Sequence, residues 1–374
     1  MIQRATIDLK GCAVWVLAKG YTPDEGGMQT YARSVASAYA ALGAEVTVVT
    51  QTSIGPRRTR IDGIDVIDLG ADRTPLALWK FYRALGTLEA REGPPDLLHA
   101  TTWRTAVPAM LLGMPYMVTF HGREFMRARG LSLAVMRRVA AAAEHRIAVS
   151  CYTESRLRHK LELAGPAASV AWNGVTTSLR FAGLREDNGE PPLILSLCRL
   201  EPRKNIRAAV LAAAHCRDAG LPFRFVICGR GPEEEALASL IDDHGLCDRI
   251  ELAGYVDQAR AQELYESADI FLHPQIATED GRDFEGFGIA IADAMYCGQA
   301  VIAGREGGPS ELVAHGRTGL LVDGKDGSAV AAALHELLVD PTARRRMARD
   351  AAEHARAHFR WDRHVEAILA RLSA

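Results

Sequence analysis

A carboxylate beside a glycine-rich turn is the most chemically suggestive feature of the second half of the chain. Glu285 stands in the run FEGFGIAIADAMYCGQAV, in which a helical pattern begins after the second glycine. Glycines at a helix start expose backbone N–H groups that bind anions or sugar hydroxyls. Asp293 follows after just over two helical turns, so we expect both acids along one side of a helix. The alternative is a helix-start acid favoured by the macrodipole and a solvated Asp293.

Two cations follow a predicted strand in the same half, in the run LCRLEPRKN. Arg199 and Lys204 both project from the carboxyl end of that strand. Arginine chelates two phosphate oxygens and lysine acts as a point charge, so the pair suits a diphosphate. The alternative is two surface charges in a loop.

The first half carries two weaker patterns. In PDEGGMQT, the pair Gly26–Gly27 follows the first predicted strand and lets the backbone approach a phosphate at a helix N-terminus. In VTFHGREF, His121 lies where a strand ends, and there it can donate to a sugar hydroxyl or titrate near neutral pH. Glu124 is placed to orient His121 or to meet an acceptor molecule. A structural histidine is the alternative.

Two further glycine pairs and two missing fingerprints narrow the function. In WNGV, Asn-Gly predicts a tight turn, and in CGRGP, Gly229 and Gly231 let a ligand pass closely. The chain contains no G-x-G-x-x-G and no G-x-x-x-x-G-K-[ST]. The main sequence evidence for a dinucleotide-dependent oxidoreductase or a P-loop kinase is therefore absent.

The elements that must position these residues alternate between strand and helix. Apolar strand patterns alternate with helical ones twice, which predicts two doubly wound α/β domains and a ligand in the cleft beyond the strands' carboxyl ends. An Asp-Gly within Thr59–Leu69 predicts a hairpin. The polar segment Phe181–Pro192 is typical of an interdomain linker. We predict domains at 1–180 and 181–359, with a final helix at 360–374.

Composition bounds the class. The 374 residues exceed one ordinary domain, and 48% hydrophobic and 24% charged residues are typical of a globular protein. The first residues lack the apolar core of a signal peptide, and no apolar run is long enough to span a bilayer, so we expect a cytoplasmic protein. Seven scattered cysteines without a C-x-x-C pair argue against a disulfide framework or a zinc site.

Charge is distributed unevenly. Residues 1–180 hold 22 Lys/Arg against 15 Asp/Glu, whereas the rest holds 22 against 31. In Phe125–Arg146, apolar residues interleave with Arg127, Arg129, Arg137 and Arg138, which suggests a peripheral contact with an anionic membrane or acceptor. The alternative is an ordinary packing helix with an arginine-rich face. A nucleic-acid partner is not expected.

Together these segments resemble the family-4 glycosyltransferases of the GT-B fold. The resemblance covers nearly the whole chain and lies in the order of GG, TFHGRE, NGV, CRLEPRKN, GRGP, AGYV, EGFG, GGPSELV and GLLV. The end, Phe359–Leu372, resembles the family's last helix, which returns to the first domain. Two positions depart from the family pattern: its second acid is usually Glu and is Asp293 here, and its usual N-G-V-D ends in Thr176 here.

By position, the resemblance implies a role for each candidate residue. Arg199 and Lys204 clamp the donor diphosphate, and Glu285 contacts donor sugar hydroxyls. His121 touches the donor sugar and polarises the reacting centre, so catalysis falls to these four residues. The resemblance implies four further donor contacts. Gly27 binds the phosphate, and Tyr255 and Val256 contact the base. The backbone amides of Gly286, Phe287 and Gly288 bind the sugar, and Asp293 binds the ribose.

The resemblance further implies a retaining transfer from a nucleotide-diphosphate sugar, with UDP as the first expectation, to a hydroxyl of a glycan, a lipid-linked sugar or a small molecule. The resemblance also implies that no cofactor and no metal are required, and no D-x-D-like motif is placed to contradict this. Two alternatives stay open: a GT-B-fold sugar-nucleotide epimerase or a phosphorylase, and a non-catalytic protein that binds nucleotide sugars.

Overall fold

The computed structural model describes residues 8–24, 26–185 and 189–370, and it divides into two compact α/β units. The first unit comprises the residues up to Gly174 together with those from Trp361 onward, and the second runs from Val175 to Arg360. The boundary therefore lies before the predicted one at 180/181. The predicted linker Phe181–Pro192 falls inside the second unit, where the Phe181 ring lies 6.2 Å from that of Tyr296. Residues 186–188 of that linker lie outside the described part.

The first unit is built on a sheet of eight strands. Its order is β3-β4-β2-β1-β5-β6-β7-β8, and every pair is parallel except β3 with β4. The strands are β1 (Ala13–Leu17), β2 (Glu45–Thr50), β3 (Arg57–Ile61), β4 (Ile64–Asp68), β5 (Leu97–Ala100), β6 (Met117–Phe120), β7 (His145–Ala148) and β8 (Ser169–Val170). The predicted hairpin is confirmed, since β3 and β4 join through Asp62 and Gly63, both at positive φ.

Helices cover this sheet and include the last helix of the chain. They are α1 (Gly27–Ala41), α2 (Thr74–Glu92), α3 (Trp103–Leu112), α4 (Arg123–Met126), α5 (Leu131–Ala142), α6 (Cys151–Leu161) and, from the C-terminus, α14 (Trp361–Leu369). Ile368 of α14 joins a core cluster with Met117 and Ile147. The arginine-rich stretch Phe125–Arg146 is not one helix, because Gly130 at φ 50° separates α4 from α5.

The second unit has a six-stranded parallel sheet in the order β11-β10-β9-β12-β13-β14. Its strands are β9 (Leu193–Leu197), β10 (Arg224–Cys228), β11 (Ile250–Gly254), β12 (Ile270–His273), β13 (Ala300–Gly304) and β14 (Leu320–Val322). Its helices are α7 (Ile206–Asp218), α8 (Glu234–Asp243), α9 (Gln258–Ser267), α10 (Ile289–Tyr296), α11 (Pro309–Leu312), α12 (Gly327–Val339) and α13 (Pro341–His358), with a 3₁₀ turn at Pro202–Lys204. Two doubly wound domains are thus confirmed.

The glycine pair of CGRGP has a packing role in this sheet. A Cβ at Gly229 would lie 1.7 Å from the Cys198 carbonyl oxygen, and one at Gly231 would lie 2.2 Å from that of Leu200. The prediction that this pair lets a ligand pass closely therefore needs correction. The neighbour that passes is the protein's own backbone after β9, where the Leu200 N–H donates to the Arg230 carbonyl.

No helix in the described ranges is both long enough and apolar enough to cross a membrane.

Candidate functional site

The predicted cation and carboxylate meet at the point where the strand order of the second sheet reverses. Strands β9 and β12 are neighbours, and the chain winds outward from them in opposite directions. The loop after β9 carries Lys204, and the longer segment after β12 carries Glu285. In open α/β sheets, ligands bind beyond the carboxyl ends of the strands at this switch point. The sequence therefore placed its strongest candidates where a ligand is expected.

Lys204 and Glu285 form a direct ion pair. The Lys204 ammonium donates to Glu285 Oε2 and lies 3.4 Å from His273 Nε2. A second cation reaches the same oxygen, because Arg203 Nη1 donates to Glu285 Oε2 at 2.5 Å. All three charged side chains are at most 15% exposed, so they act in a largely dry environment where electrostatic interactions are strong. The sequence analysis placed Lys204 and Glu285 at the same site, but it did not identify Arg203.

Arg199 occupies a more peripheral position than expected. Its side chain is 64% exposed and pairs with Glu201 at 3.0 Å. Glu201 in turn lies 3.5 Å from Arg203, which also approaches Asp283 at 3.4 Å. Arg199 is thus joined to the buried cluster through Glu201. The R-K-N run was visible in the sequence, but a 3₁₀ turn, which points both Arg203 and Lys204 inward, has no clear sequence pattern.

Backbone contacts fix the loops that present the cluster. Asn205 ends the 3₁₀ turn at φ 55°, and its side-chain amide donates to the carbonyls of Pro274 (2.9 Å) and Gly324 (2.7 Å). The Gly308 N–H donates to the Glu285 carbonyl at 2.9 Å. A Cβ at Gly307 would lie 2.5 Å from that carbonyl oxygen, so a glycine at position 307 is required for the two segments to approach this closely.

The charge states follow from these contacts. Burial works to raise the pKa of Glu285, but Lys204 and Arg203 outweigh it and hold the pKa well below its usual value. Burial, reinforced by Lys204, lowers the pKa of His273 well below its usual value. His273 is therefore neutral beside the lysine. The site keeps an ionised carboxylate between two cations at neutral pH.

Asp293 lies apart from this ion pair and has its own partner. Helix α10 begins at Ile289, so Glu285 precedes it, and the expectation that both acids lie along one side of a helix is wrong. Asp293 is 4% exposed, which also excludes a solvated side chain. Thr176 donates to both carboxylate oxygens, from N to Oδ1 and from Oγ1 to Oδ2, each at 2.7 Å. Burial nevertheless raises the pKa of Asp293 to about 7.

The other second-unit candidates lie at loops after strands and at the start of α10. Gly286, Phe287 and Gly288 precede α10, and the Phe287 ring is buried 5.8 Å from that of Phe359. Tyr255 is 52% exposed and Val256 half-buried, directly after β11. Tyr255 therefore offers an accessible ring, whereas Phe287 contributes to packing through its side chain.

In the first unit, His121 follows β6 and is held by its neighbours. Its Nε2 donates to the Thr101 carbonyl at 2.9 Å, since a carbonyl only accepts, and this leaves Nδ1 as an acceptor in the neutral ring. Burial lowers the pKa of His121, against an opposing effect of Glu124. Glu124 accepts the His121 backbone N–H at 2.7 Å, so it positions the main chain rather than the imidazole. The lowered pKa argues against titration near neutral pH.

A buried relay of hydrogen bonds, which the sequence did not reveal, lies behind His121. The Tyr31 ring packs edge-on against that of His121 at 4.6 Å. Since His364 Nδ1 must donate to a carbonyl, each further hydrogen bond has one possible direction. The donors in order are Tyr39, His99, Thr119, Tyr31 and His364, ending at the Trp172 carbonyl. Burial lowers the pKa of His99 to about 3 and of His364 to about 4, which keeps both neutral.

Gly27 begins α1 as expected, after Gly26 at φ 143°. A Cβ added at Gly27 would meet nothing within 4 Å, so the space beside this residue is open. An open, glycine-flanked helix start can receive an anion at its backbone N–H groups.

Solved structures share this architecture over nearly the full chain. Sucrose-phosphate synthase from Thermosynechococcus elongatus superposes with a TM-score of 0.80 at 22% identity, covering 97% of this chain and 98% of that one. Alr3699/HepE from Anabaena, solved in complex with UDP and glucose, gives 0.72 at 20% identity, covering 97% and 99%. Two α/β domains built on mainly parallel sheets, with these structural neighbours, define the GT-B fold class.

Sequence comparison then places the chain within that class. The model "Glycosyltransferase Family 4" matches residues 25–179, and "Glycosyl transferases group 1" matches residues 184–354. The chain therefore belongs to glycosyltransferase family 4.

Two relatives have names that describe the transfer of a sugar. A GDP-mannose-dependent alpha-(1-6)-phosphatidylinositol monomannoside mannosyltransferase of Mycobacterium tuberculosis is 36% identical over 240 residues, which span 61% of each chain. A D-inositol 3-phosphate glycosyltransferase of Acidothermus cellulolyticus is 29% identical and covers 98% of this chain and 88% of its own.

Proposed function

We propose that this chain transfers a glycosyl group from a nucleoside-diphosphate sugar to an acceptor hydroxyl, with retention of configuration. The observation that carries the proposal is the buried ion-pair cluster of Lys204, Arg203 and Glu285 at the switch point of the second sheet. An ion pair at the site of a doubly wound sheet can bind a diphosphate through the cations and sugar hydroxyls through the carboxylate.

The chemistry is that of a leaving group. As the bond between the sugar and the diphosphate breaks, negative charge grows on the phosphate oxygens and the sugar becomes oxocarbenium-like. Preorganised cations aimed at that charge supply the electrostatic stabilisation that usually dominates catalysis. In this proposal the buried Lys204 and Arg203 take that role, the exposed Arg199 is the further phosphate contact that the resemblance implies, and no metal is needed. The departing phosphate accepts the acceptor's proton, so no protein nucleophile is required.

The remaining assignments follow the resemblance. His121 contacts the donor sugar through its free Nδ1, Gly27 offers its N–H to the phosphate, and Tyr255 and Val256 flank the base. We infer UDP as the first donor base to test, and GDP next because the mycobacterial relative is named for GDP-mannose. A lipid-linked acceptor is consistent with the phosphatidylinositol mannoside in that relative's name.

Donor identity is tested by thermal shift. A ligand that binds only the folded state at a hundred times its Kd stabilises it by about 2.7 kcal/mol. We expect UDP- or GDP-sugars to raise the melting temperature of the wild type. The donor that does so is then incubated with a panel of acceptors, and we expect a transferred sugar to be detected on one of them. Binding without turnover on any acceptor, or conversion of the donor alone, would contradict the proposal and favour a binding protein or an epimerase.

Substituting Glu285 by glutamine tests the carboxylate. The amide keeps the shape but leaves Lys204 and Arg203 without their shared counter-charge, and we expect kcat/KM to fall by about a hundredfold or more. Because the pKa of Glu285 is held well below its usual value, the loss should be the same from mildly acidic to alkaline pH. Glu263→Gln is the matched control, since Glu263 pairs with Arg260 at 3.0 Å on the surface. Equal activity in both variants would remove Glu285 from the site.

A peripheral membrane contact is proposed from a cation cluster on the first unit. Lys160 Nζ donates to the carbonyl of Met126 at 3.2 Å, three residues before Arg129, and Arg137 pairs with Glu162 at 2.6 Å. Burial, then Arg129 and Arg137, lower the pKa of Lys160. Leu131, the first residue of α5, is 83% exposed beside them. An exposed leucine within a basic cluster is typical of a surface that binds anionic lipid.

Co-sedimentation with vesicles tests this contact. We expect the wild type to bind vesicles that contain anionic lipid at low salt and to be released at high salt, because screening weakens surface charge interactions. Arg129→Glu/Arg137→Glu should abolish binding. Arg58→Glu/Arg60→Glu, an equal charge change on exposed strand β3, should retain it. Absence of binding at low salt would refute the contact.

A further inference from the structure

Tyr31, in the first unit, is a fully buried tyrosine whose hydroxyl has two side-chain partners. It lies on α1, four residues after Gly27. Its hydroxyl lies 2.9 Å from Thr119 Oγ1 and 3.0 Å from His364 Nε2. Because the relay runs in one direction, Thr119 donates to the hydroxyl and the hydroxyl donates to His364. The hydroxyl is therefore used both as acceptor and as donor, which a phenylalanine at this position could not provide.

The partners of that hydroxyl belong to separate elements of the first unit. Thr119 lies in β6, two residues before His121, and is fully buried. His364 lies in α14 and is itself held, because its Nδ1 donates to the Trp172 carbonyl at 3.0 Å. The hydroxyl thus fastens α1 to the end of β6 and to α14 at one buried point. Since a buried polar group without a partner carries a desolvation cost, this geometry is strongly preferred over its alternatives.

The ring of Tyr31 packs against the imidazole of His121. The two ring centroids lie 4.6 Å apart with the planes at 83°, closer than the Tyr31 ring lies to His364 (5.3 Å) or Trp361 (5.6 Å). Perpendicular ring pairs at such distances attract one another. At its far end the imidazole is held by the hydrogen bond from Nε2 to the Thr101 carbonyl.

That hydrogen bond alone does not fix the plane of the His121 ring. An imidazole turns about its Cβ–Cγ bond over a broad range, and Nε2 lies close to the axis of that rotation. Nδ1 lies farther from the axis, so it moves more when the ring turns. The perpendicular ring of Tyr31 opposes this rotation and thereby determines where the acceptor nitrogen Nδ1 points.

We propose that Tyr31 is a positioning residue that sets the orientation of the His121 imidazole. Its hydroxyl, fixed between Thr119 and His364, holds the ring against which that imidazole packs. The inference rests on the proposed function, in which Nδ1 of His121 contacts the donor sugar. Because Tyr31 shares α1 with Gly27, the same anchor fixes the start of this helix relative to the end of β6.

Steady-state kinetics of Tyr31→Phe, which removes only the hydroxyl, test the proposal. With the donor found by thermal shift, we expect kcat to fall about tenfold and KM to change by less than about twofold, because a misplaced His121 loses a contact made in the transition state. Tyr116→Phe is the matched control. Tyr116 is 2% exposed, lies before β6 at the end opposite His121, and donates to the Val139 carbonyl at 2.6 Å. It should keep the wild-type kcat.

Further variants separate positioning from a general loss of stability. Thr119→Val removes the donor to the Tyr31 hydroxyl and should lower kcat as Tyr31→Phe does, whereas Thr119→Ser keeps a hydroxyl and should retain activity. In a His121→Ala background, Tyr31→Phe should cause no additional loss of kcat, because it acts through the imidazole. A wild-type kcat in Tyr31→Phe, or an equal loss with and without His121, would overturn the proposal.

Nuclear magnetic resonance of protein labelled with ¹⁵N-histidine gives a readout that needs no turnover. The His121 ring signals are identified by their loss in His121→Gln. We expect Tyr31→Phe to shift these signals and Tyr116→Phe to leave them in place. Unchanged His121 signals in Tyr31→Phe refute the positioning role. A wild type that turns over no nucleotide sugar refutes the proposed function, and the spectra still decide whether Tyr31 orients His121.

Discussion

Lys204→Met is expected to lower kcat/KM by about a thousandfold with the second unit still folded, because a preorganised charge aimed at the leaving group is worth about 3–4 kcal/mol. The methylene stem of lysine is replaced at nearly equal volume, so packing at this buried position is kept. Glu285 does not become an isolated charge, since Arg203 remains on the same oxygen at 2.5 Å. The loss is therefore electrostatic rather than structural.

The measurement is steady-state kinetics with the donor found by thermal shift, together with far-UV circular dichroism of the variant. Arg207→Gln is the matched control, because this substitution also removes one positive charge. Arg207 lies three residues after Lys204 and is exposed on α7. We expect it to change kcat/KM little. If Lys204→Met turned over the donor at the wild-type rate, the ion-pair cluster would not be the donor site.

Gly229→Ala is expected to destabilise the second unit by about 3–5 kcal/mol, a size reached when a backbone is forced into a clash or a strained conformation. The residue has φ 133°, where side chains are rarely tolerated, and its Cβ would lie 1.7 Å from the Cys198 carbonyl oxygen. That oxygen cannot withdraw easily, because the Cys198 N–H is bound to the Cys228 carbonyl at 3.0 Å.

Denaturant unfolding measures this effect, and the control is Gly327→Ala. A Cβ at Gly327, the first residue of α12, would meet nothing within 4 Å, so alanine there should be neutral or slightly stabilising. Because Gly229 lies on the loop beside the Lys204 segment, residual folded Gly229→Ala protein should also bind the donor weakly. Unfolding midpoints that agree between Gly229→Ala and wild type would contradict the close backbone approach.

Much of the architecture was accessible from local patterns. Apolar runs followed by helical periodicity predicted the two sheets, and Asp62-Gly63 predicted the hairpin, because burial and turn geometry leave their mark on neighbouring residues. The loops that follow β9 and β12 were identified by charge beside a strand end. Since adjacent parallel strands bring their carboxyl ends together, Lys204 and Glu285 could be placed near each other without coordinates.

The positions of the remaining polar partners depended on tertiary packing. Which cation joins Lys204 on Glu285 was decided by a 3₁₀ turn that buries Arg203 and leaves Arg199 exposed. Burial keeps His121 neutral, and the ring nitrogen that carries its proton is fixed by the carbonyl of Thr101, which follows another strand. The partners His121 and Thr101 lie 20 positions apart in sequence, and Thr176 and Asp293 lie 117 apart. The periodicity of a single segment cannot predict partners at such separations.

By itself, then, the sequence determined the alternation of elements, the family and the charged residues available for catalysis, because these depend on short-range patterns and motif order. Only the tertiary structure decided that Asp293 faces Thr176, that Gly229 accommodates backbone rather than ligand, and that a tyrosine–histidine relay lies behind His121. The physical reason is that burial sets both the protonation state and the hydrogen-bond partner of a polar group, and burial at these sites arises from elements distant in sequence.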